Sequence, residues 1–461
     1  MTGDGKKRIM LPTCAESRRR KSQKNGNRLG GMEIRRDSYL RKLVSRMWNG
    51  QVKVITGIRR SGKSYLLKTI FRRHLLENGT SPDDILALEL DELRFSRLRN
   101  PIALGEHVRE WMRGATARRY LFVDEIQMCG EVPNPAMPDG AKITFYDALN
   151  EFRAMENLDV YVTGSNSRML SKDIRTEFRG RGDEVRVHPL SFGEYFGAAG
   201  GERGEAFEAY MRYGGMPFAA TIPDDAGREA YLKGLFEEVY LKDIIERKRV
   251  ERADVMAATL DFLCSSTGSL TNANNIARSL AKAQGAEVST NTVASYIGHL
   301  EDAYLFTEAK RYDVKGHAYF DYPQKYYCED VGLRNARTGY RHQEPTHIME
   351  NVIFNELVAR GYSVDVGVVV ANERNSLGKN VRVQREIDFV VNRPGERLYI
   401  QSAYALPDEE KRAQELKPFS LTGDSFRKIV VRHDMGRRWF NDEGVLNLGI
   451  CDFLLDPSAI G

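Results

Sequence analysis

The strongest constraint in the chain is a loop that matches the pattern G-x-x-x-x-G-K-[ST], Gly57-Ile58-Arg59-Arg60-Ser61-Gly62-Lys63-Ser64. A β-branched run at 51–56 precedes it, and a helical pattern with apolar residues on one face follows at 64–76. In that context the backbone N–H groups of the loop and the helix N-terminus surround a phosphate group. The alternative is a glycine-rich turn that matches the pattern by chance. Such a turn would not require the strand before it and the helix after it. The loop therefore predicts a nucleotide site.

We expect this loop to bind ATP together with Mg²⁺. Lys63 would reach the β- and γ-phosphates, and the Ser64 hydroxyl would ligate the metal. The predicted nucleotide-binding residues are Gly57, Arg59, Arg60, Ser61, Gly62, Lys63, Ser64 and Tyr65.

An apolar strand at 120–123 ends in two adjacent acids, Asp124 and Glu125. Asp124 at the strand tip fits the role of second Mg²⁺ ligand, and Glu125 fits that of a general base for an attacking water. Acids at a strand end also occur in solvated turns. Their place downstream of a phosphate-binding loop favours the catalytic interpretation.

Two further polar segments are candidates for contact with the nucleotide. The strand at 160–163 runs into Gly-Ser-Asn, where Asn166 is the first choice and Ser165 the second for a side chain near the γ-phosphate; a plain turn is the alternative. Arg175, Arg179 and Arg181 follow, and Arg181 is the candidate finger toward a nucleotide in the same or a neighbouring subunit. Charge runs of this kind also form solvated faces.

Alternating strand and helix patterns to about residue 190 predict an α/β fold with a parallel sheet covered by helices on both faces. The 461 residues are too many for a single core, so two to four domains are expected. The pattern becomes mostly helical after residue 190 and mixed again from residue 350. No run of eighteen apolar residues occurs, which predicts no membrane span.

The net charge of +5 is unevenly distributed. Residues 1–31 hold nine Lys and Arg against two acids, a net +7, so the remaining residues sum to −2. We expect this leader to be a disordered basic extension, either a native tail or the product of an upstream start site. The five cysteines are far apart and form no metal pattern, which is typical of a reducing cytoplasm.

Five motifs in order carry a family resemblance: the phosphate loop, Val-Asp-Glu-Ile-Gln at 123–127, Thr-Gly-Ser-Asn-Ser at 163–167, Pro-Leu-Ser-Phe at 189–192 and Tyr-Gly-Gly-Met-Pro at 213–217. Over residues 33–455 the chain resembles prokaryotic AAA-type ATPases with a winged-helix segment and a C-terminal domain similar to restriction endonucleases. The resemblance implies an ATPase domain at 32–190, a helical lid at 191–252, a winged-helix-like segment at 253–325 and a nuclease-like α/β domain at 326–461. A Pro/Gly-rich insertion at 128–145 departs from the common pattern.

The winged-helix-like segment carries three helical patterns, and Ser289 is placed to cap the third. The exposed face of that helix would present Thr290, Asn291, Ser295 and His299, with no Arg or Lys for phosphate contacts. Binding of duplex DNA on one side, and a protein-interaction or lid role on the other, are equal alternatives.

The C-terminal domain is expected to lack nuclease activity. Endonucleases of the resembled fold hold a metal with a helical Glu, here Glu350 or Glu356, an acid on one strand, here Asp388, and an acid and a lysine on the next strand. Gln401 and Ala403 stand where that second acid and lysine belong, and we expect no nearby cation to replace the lysine.

Three functions are consistent with these residues: an ATP-driven switch or remodeller, a non-hydrolysing nucleotide-dependent regulator, and an ATP-dependent nuclease. Glu125 and Asn166 favour hydrolysis over binding alone. The predicted partners are ATP and either duplex DNA or a protein client, with an oligomer as an option that the sequence leaves open.

Overall fold

The computed structural model describes residues 34–137, 140–164, 182–284, 288–341, 344–374, 379–405, 408–434 and 436–460. The described residues belong to one compact unit, Ile34–Gly461. The leader at 1–31 and five residues with predicted roles lie outside the described ranges: Ser165, Asn166, Arg175, Arg179 and Arg181.

The N-terminal part alternates strands and helices as predicted. Its elements are α1 (Asp37–Val44), β1 (Val52–Thr56), α2 (Lys63–Tyr65, continued by a π-helical stretch Leu66–Phe71 and by Arg72–Glu77), β2 (Ile85–Glu89), α3 (Pro101–Met112), β3 (Arg119–Asp124), β4 (Val132–Pro133), β5 (Lys142–Ile143), α4 (Phe145–Arg153), β6 (Leu158–Thr163) and β7 (Gly182–Arg186). The insertion at 128–145 contains the small β4–β5 hairpin.

Within the described residues, five of these strands form a parallel sheet in the order β2-β3-β6-β1-β7. Alternate residues of β3 point to opposite faces: Leu121 and Val123 pack with α3 and α4, whereas Tyr120 and Phe122 pack with α1 and α2. A sheet buried on both faces explains the nearly continuous apolar runs of its strands. The predicted α/β class is confirmed.

A helical region follows, with α5 (Phe192–Ala199), α6 (Arg203–Tyr213), α7 (Pro217–Thr221), α8 (Asp225–Gly234, continued by a π-helical stretch Leu235–Leu241 and by Lys242–Lys248), α9 (Ala253–Ser265), α10 (Ala273–Gln284) and α11 (Thr290–Asp302). Ser289 caps α11 as predicted, because its Oγ accepts a hydrogen bond from the Thr292 N–H at 3.0 Å. Helices α8 to α11 share one apolar core that also contains Ile58 of the phosphate loop.

The C-terminal part is built on a second, mixed sheet. Its elements are β8 (Phe306–Asp313), β9 (Ala318–Cys328), α12 (Val331–Arg337), α13 (Pro345–Ala359), β10 (Ser363–Arg374), β11 (Asn380–Arg393), β12 (Glu396–Ala403), α14 (Glu409–Ser420), β13 (Arg427–Arg432), β14 (Trp439–Phe440), β15 (Leu446–Gly449) and α15 (Ile450–Leu455). In the described chain the strand order is β14-β15-β13-β12-β11-β10-β8-β9.

The β8–β9 hairpin, which falls mostly within the expected winged-helix-like segment at 253–325, is part of this second sheet. Residues 311–313 of β8 pair in parallel with Val366, Gly367 and Val368 of β10. The expected segment boundary between residues 325 and 326 therefore falls inside β9. The hydrogen bonds between β8 and β10 join the hairpin to the C-terminal strands.

No helix among the described residues is long and apolar enough to cross a membrane. The four cysteines in the described ranges, Cys129, Cys264, Cys328 and Cys451, are buried as free thiols.

Candidate nucleotide-binding site

The phosphate loop depends on two glycines with positive φ. Gly57 has φ 134°, and a Cβ there would lie 2.1 Å from the carbonyl oxygen of Val187, so a side chain is excluded by both conformation and space. Gly62 has φ 93° and is the N-cap of α2, which begins at Lys63. The loop thus delivers Lys63 and Ser64 at the start of a helix, where backbone N–H groups point outward.

Lys63 is buried within the loop that it serves. Its Nζ donates hydrogen bonds to the carbonyl oxygens of Gly57 and Ile58, both at 2.9 Å. Burial lowers the pKa of Lys63 to about 8, although the carboxylates of Glu125 and Asp124 act in the opposite direction. A bound triphosphate would place negatively charged oxygens next to this ammonium group, whose hydrogen bonds in the loop go to neutral carbonyl oxygens.

The other predicted loop residues differ in their surroundings. Arg60 is exposed with φ 63°, and Ser61 is fully buried. Arg59 forms an ion pair with Asp243 of α8, with 2.9 Å between Nη1 and Oδ1. Tyr65 packs against the apolar core between the sheet and α2. Their roles toward ATP remain predictions.

Asp124 at the end of β3 lies next to Ser64, as expected for a shared metal site. The Ser64 hydroxyl donates to Asp124 Oδ1 at 2.9 Å, and the Thr163 hydroxyl at the end of β6 donates to the same oxygen. Lys68 Nζ lies 3.0 Å from Oδ2 and also contacts Glu89 at 2.6 Å. Three donors, two from α2 and one from β6, therefore fix one buried carboxylate.

The hydroxyl and carboxylate oxygens of Ser64 and Asp124 suit Mg²⁺. This ion keeps several waters and takes one or two protein oxygens plus phosphate oxygens. The described residues contain no cluster of three or more His, Cys, Asp or Glu that could hold a metal without such help. Ser64 and Asp124 would thus supply two oxygen ligands, and phosphate and water oxygens would complete the set.

Glu125 follows Asp124 in a left-handed conformation, with φ 54° and ψ 50°. This conformation is uncommon outside glycine and is found at functional sites. The Glu125 N–H donates to Thr163 Oγ1 at 3.1 Å, and Gln127 Nε2 donates to the Glu125 carboxylate. The hydrogen bond to Thr163 ties the turn to the end of the neighbouring strand.

The sheet order brings the end of β6 to the candidate nucleotide site. β6 lies between β1 and β3, so its end reaches the space between the phosphate loop and the acid pair. Asn166 and Arg181 are outside the described residues, and their roles stay predictions. Thr163, Lys68 and Asp243 were missed. Thr163 alone had a signal in the sequence, a hydroxyl residue at the end of an apolar strand.

Helix α11 presents Thr290, Asn291 and Ser295 to solvent, and His299 is half-buried. Ser295 Oγ lies 3.4 Å from His299 Nε2. Burial lowers the pKa of His299, and nearby Lys248 lowers it further, which favours a neutral imidazole. The helix thus presents an uncharged polar face, and the choice between DNA and a protein stays open.

The C-terminal acids lie close together between α13 and the second sheet. Asp388 Oδ2 accepts a hydrogen bond from the Ser402 N–H at 2.8 Å, and Gln401 Nε2 donates to Glu415 at 3.1 Å. Burial raises the pKa of Asp388 well above its usual value, and the nearby carboxylate of Glu350 raises it further. Glu350 is therefore the helical acid of this cluster, whereas Glu356 pairs with Arg360 at 2.8 Å.

The expectation that no cation lies near these acids is wrong. Lys325 Nζ lies 2.8 Å from Glu350 Oε1 and 2.7 Å from Glu386 Oε1. Burial alone would lower the pKa of Lys325, but the carboxylates of Glu350 and Glu386 raise it above its usual value. Lys325 belongs to β9, so only the long-range pairing of the second sheet brings it to this position.

The fold and the site together define a P-loop ATPase domain of the AAA type. Residues 49–196 match the AAA domain family AAA_14, and residues 204–344 match a domain of unknown function, DUF8612. An uncharacterized protein of Haemophilus influenzae is 30% identical over 403 residues, which span 86% of this chain and 93% of that protein. The chain belongs to the family of that protein.

Two further similarities extend over much of the chain. An uncharacterized protein of Methanocaldococcus jannaschii is 24% identical over 431 residues, 88% of each chain. A Walker-type ATPase of Pyrococcus abyssi superposes with a TM-score of 0.46 at 17% identity, covering 68% of this chain and 99% of that one.

Proposed function

We propose that this chain is an Mg²⁺-dependent ATPase whose nucleotide state switches the engagement of its accessory segments with duplex DNA or a protein client. The observation that carries the proposal is the meeting of Ser64, Asp124 and Thr163 at the end of the sheet, with Glu125 adjacent. Ser64 and Asp124 would hold Mg²⁺, which supplies positive charge for the phosphate oxygens. Glu125 is then the acid placed to accept a proton from the attacking water.

The packing of the phosphate loop supports a switch rather than an isolated ATPase. Ile58 is buried in the same apolar core as helices α8 to α11. Gly62 lies near Pro217 of α7, since a Cβ on this glycine would be 3.8 Å from the proline Cγ. A change in the conformation of the loop on nucleotide binding would therefore be transmitted to the helical region.

Steady-state phosphate release from ATP, with and without duplex DNA, tests the proposal. Glu125→Gln should retain ATP binding and lose turnover by about a hundredfold or more, the size of a general-base contribution. Lys63→Ala should lose ATP binding, because its ammonium contacts phosphate in the ground state. Glu131→Gln is the matched control, since Glu131 is exposed in the insertion after β3 and pairs with Lys142 at 2.8 Å.

Unchanged turnover in Glu125→Gln would remove this residue from the role of base. ATP binding without turnover in the unsubstituted chain would favour the non-hydrolysing regulator. Faster turnover with duplex DNA would favour DNA over a protein as the partner.

We also propose that the C-terminal acids form no nuclease centre. Gln401 stands in place of the second acid and is held by Glu415, and Lys325 neutralises the helical acid Glu350. A neutral amide is a poor Mg²⁺ ligand compared with a carboxylate.

A further inference from the structure

The second half of α8 lies against the phosphate loop. The hydroxyl of Tyr240, a buried residue, donates a hydrogen bond to the Arg59 carbonyl oxygen at 2.7 Å. One helical turn later, Asp243 Oδ1 lies 2.9 Å from Arg59 Nη1. The same helix thus contacts the backbone and the side chain of one loop residue.

Asp243 holds a second guanidinium as well. Arg247 Nε lies 3.0 Å from Asp243 Oδ1, the oxygen that also contacts Arg59. The side chains of Arg59 and Arg247 are each 30% exposed and that of Asp243 is 21% exposed, so ligands and water can reach the group. One carboxylate oxygen therefore lies between two arginines beside the phosphate loop.

This group lies close to the catalytic acids. Burial raises the pKa of Asp243, while Arg59 and Arg247 lower it and Glu125 raises it. Arg59 in turn lowers the pKa of Lys63. These mutual effects place Asp243, Arg59 and Arg247 within electrostatic range of the groups expected to surround the outer phosphates.

We propose that Asp243 competes with the γ-phosphate of ATP for Arg59 and Arg247 and so sets the preference of the site for triphosphate over diphosphate. The inference rests on the proposed function. A phosphate group carries more charge than a carboxylate and offers three acceptor oxygens, so it can draw both guanidinium groups away from Asp243. ADP, which lacks the γ-phosphate, leaves the Asp243 ion pairs in place.

The competition would also connect the nucleotide to the winged-helix-like segment. Lys248, at the end of α8, forms an ion pair of 2.8 Å with Asp302, at the end of α11. Loss of the Arg59–Asp243 contact loosens α8 from the phosphate loop while this second contact persists. Helices α8 and α11 would then respond together to the γ-phosphate.

The test compares the dissociation constants of ADP and of the β,γ-imido analogue of ATP, each with Mg²⁺, by isothermal titration of the full chain. Asp243→Asn should tighten binding of the triphosphate analogue by about tenfold, the value of one charge-assisted hydrogen bond, and change ADP binding less than about twofold. Glu238→Gln is the control, because Glu238 is 75% exposed on the same helix. It should change neither constant.

Arg59→Gln provides a second, independent measurement. It should reduce the preference for the triphosphate analogue over ADP by about tenfold, and Asp243→Asn should bring a smaller gain in that background, because only Arg247 is then left to be released. An equal change in both nucleotides, or an unchanged preference in Arg59→Gln, would overturn the inference while leaving the ATPase proposal intact. Failure of the unsubstituted chain to bind either nucleotide would overturn both.

Discussion

The ammonium group of Lys63 is bound by two carbonyl oxygens of its own loop. Its contacts with Gly57 and Ile58 satisfy two of its three N–H donors but bring no full negative charge. Burial therefore dominates and lowers the pKa of Lys63 to about 8. The free site is partly deprotonated at mildly alkaline pH, and a bound triphosphate would restore the proton.

The difference in Lys63 protonation between the free chain and the ATP complex predicts that ATP affinity falls as pH rises above about 8. In that range the complex binds one more proton than the free chain, so the association constant should decrease by up to about tenfold per pH unit. Titration calorimetry in buffers of different ionisation enthalpy would count the proton taken up. The phosphate groups of ATP titrate at lower pH and do not contribute. An affinity that stays level from pH 7.5 to 9.5 would contradict the assignment.

At the scale of elements, Lys325 links β9 to α13 and β11. Its Nζ contacts Glu350 and Glu386, and the Lys325 side chain is only 4% exposed. Removing one partner of a buried ion pair leaves the other charge uncompensated, which costs about 3–5 kcal/mol. The link therefore stabilises the attachment of the hairpin to the C-terminal strands.

Lys325→Met should lower the free energy of unfolding of the C-terminal part by about 3 kcal/mol at pH 7. The pKa of Glu350 is lowered in the folded chain, despite its burial, mainly by Lys325. The stabilisation is therefore present above the usual Glu pKa and is lost as pH falls through the depressed value. Urea unfolding at pH 7 and at a series of pH values below the usual Glu pKa measures both effects. Lys142→Met, an exposed partner of Glu131, should leave the midpoint unchanged, and equal midpoints for the two variants would refute the prediction.

The strands and the phosphate loop could be predicted because their signals are local. β1, β3 and β6 are apolar runs with polar ends, and the loop motif is contiguous. The ion-pair partner of Asp124 was less predictable, because Lys68 reaches Asp124 only once α2 has packed on the sheet. Lys325 was missed for the same reason, since it meets Glu350 through strand pairing that no local pattern specifies.

At the scale of the whole molecule, the acid cluster around Lys325 and the nucleotide site are built from different residues. Supercoiled, linear and single-stranded DNA should all remain intact when incubated with the chain in Mg²⁺ or Mn²⁺, with or without ATP. The reason is that Gln401 and Lys325 leave too few free carboxylates for a metal. Gel electrophoresis measures the outcome. Cleavage that is lost in Asp388→Ala but retained in Lys63→Ala would establish the nuclease activity instead.

The shared hydrogen bonding of β8 with β10 bears on how such a chain can be inherited and recombined. A break after residue 325 would split β9, and separating β8 from Val366 and Val368 would leave open strand edges on both pieces. Open strand edges pair with strands of other chains and so promote aggregation. The hairpin and the C-terminal strands therefore cannot be exchanged between proteins as separate folding units. A viable gene fusion would have to join the chain before the hairpin or after the whole sheet.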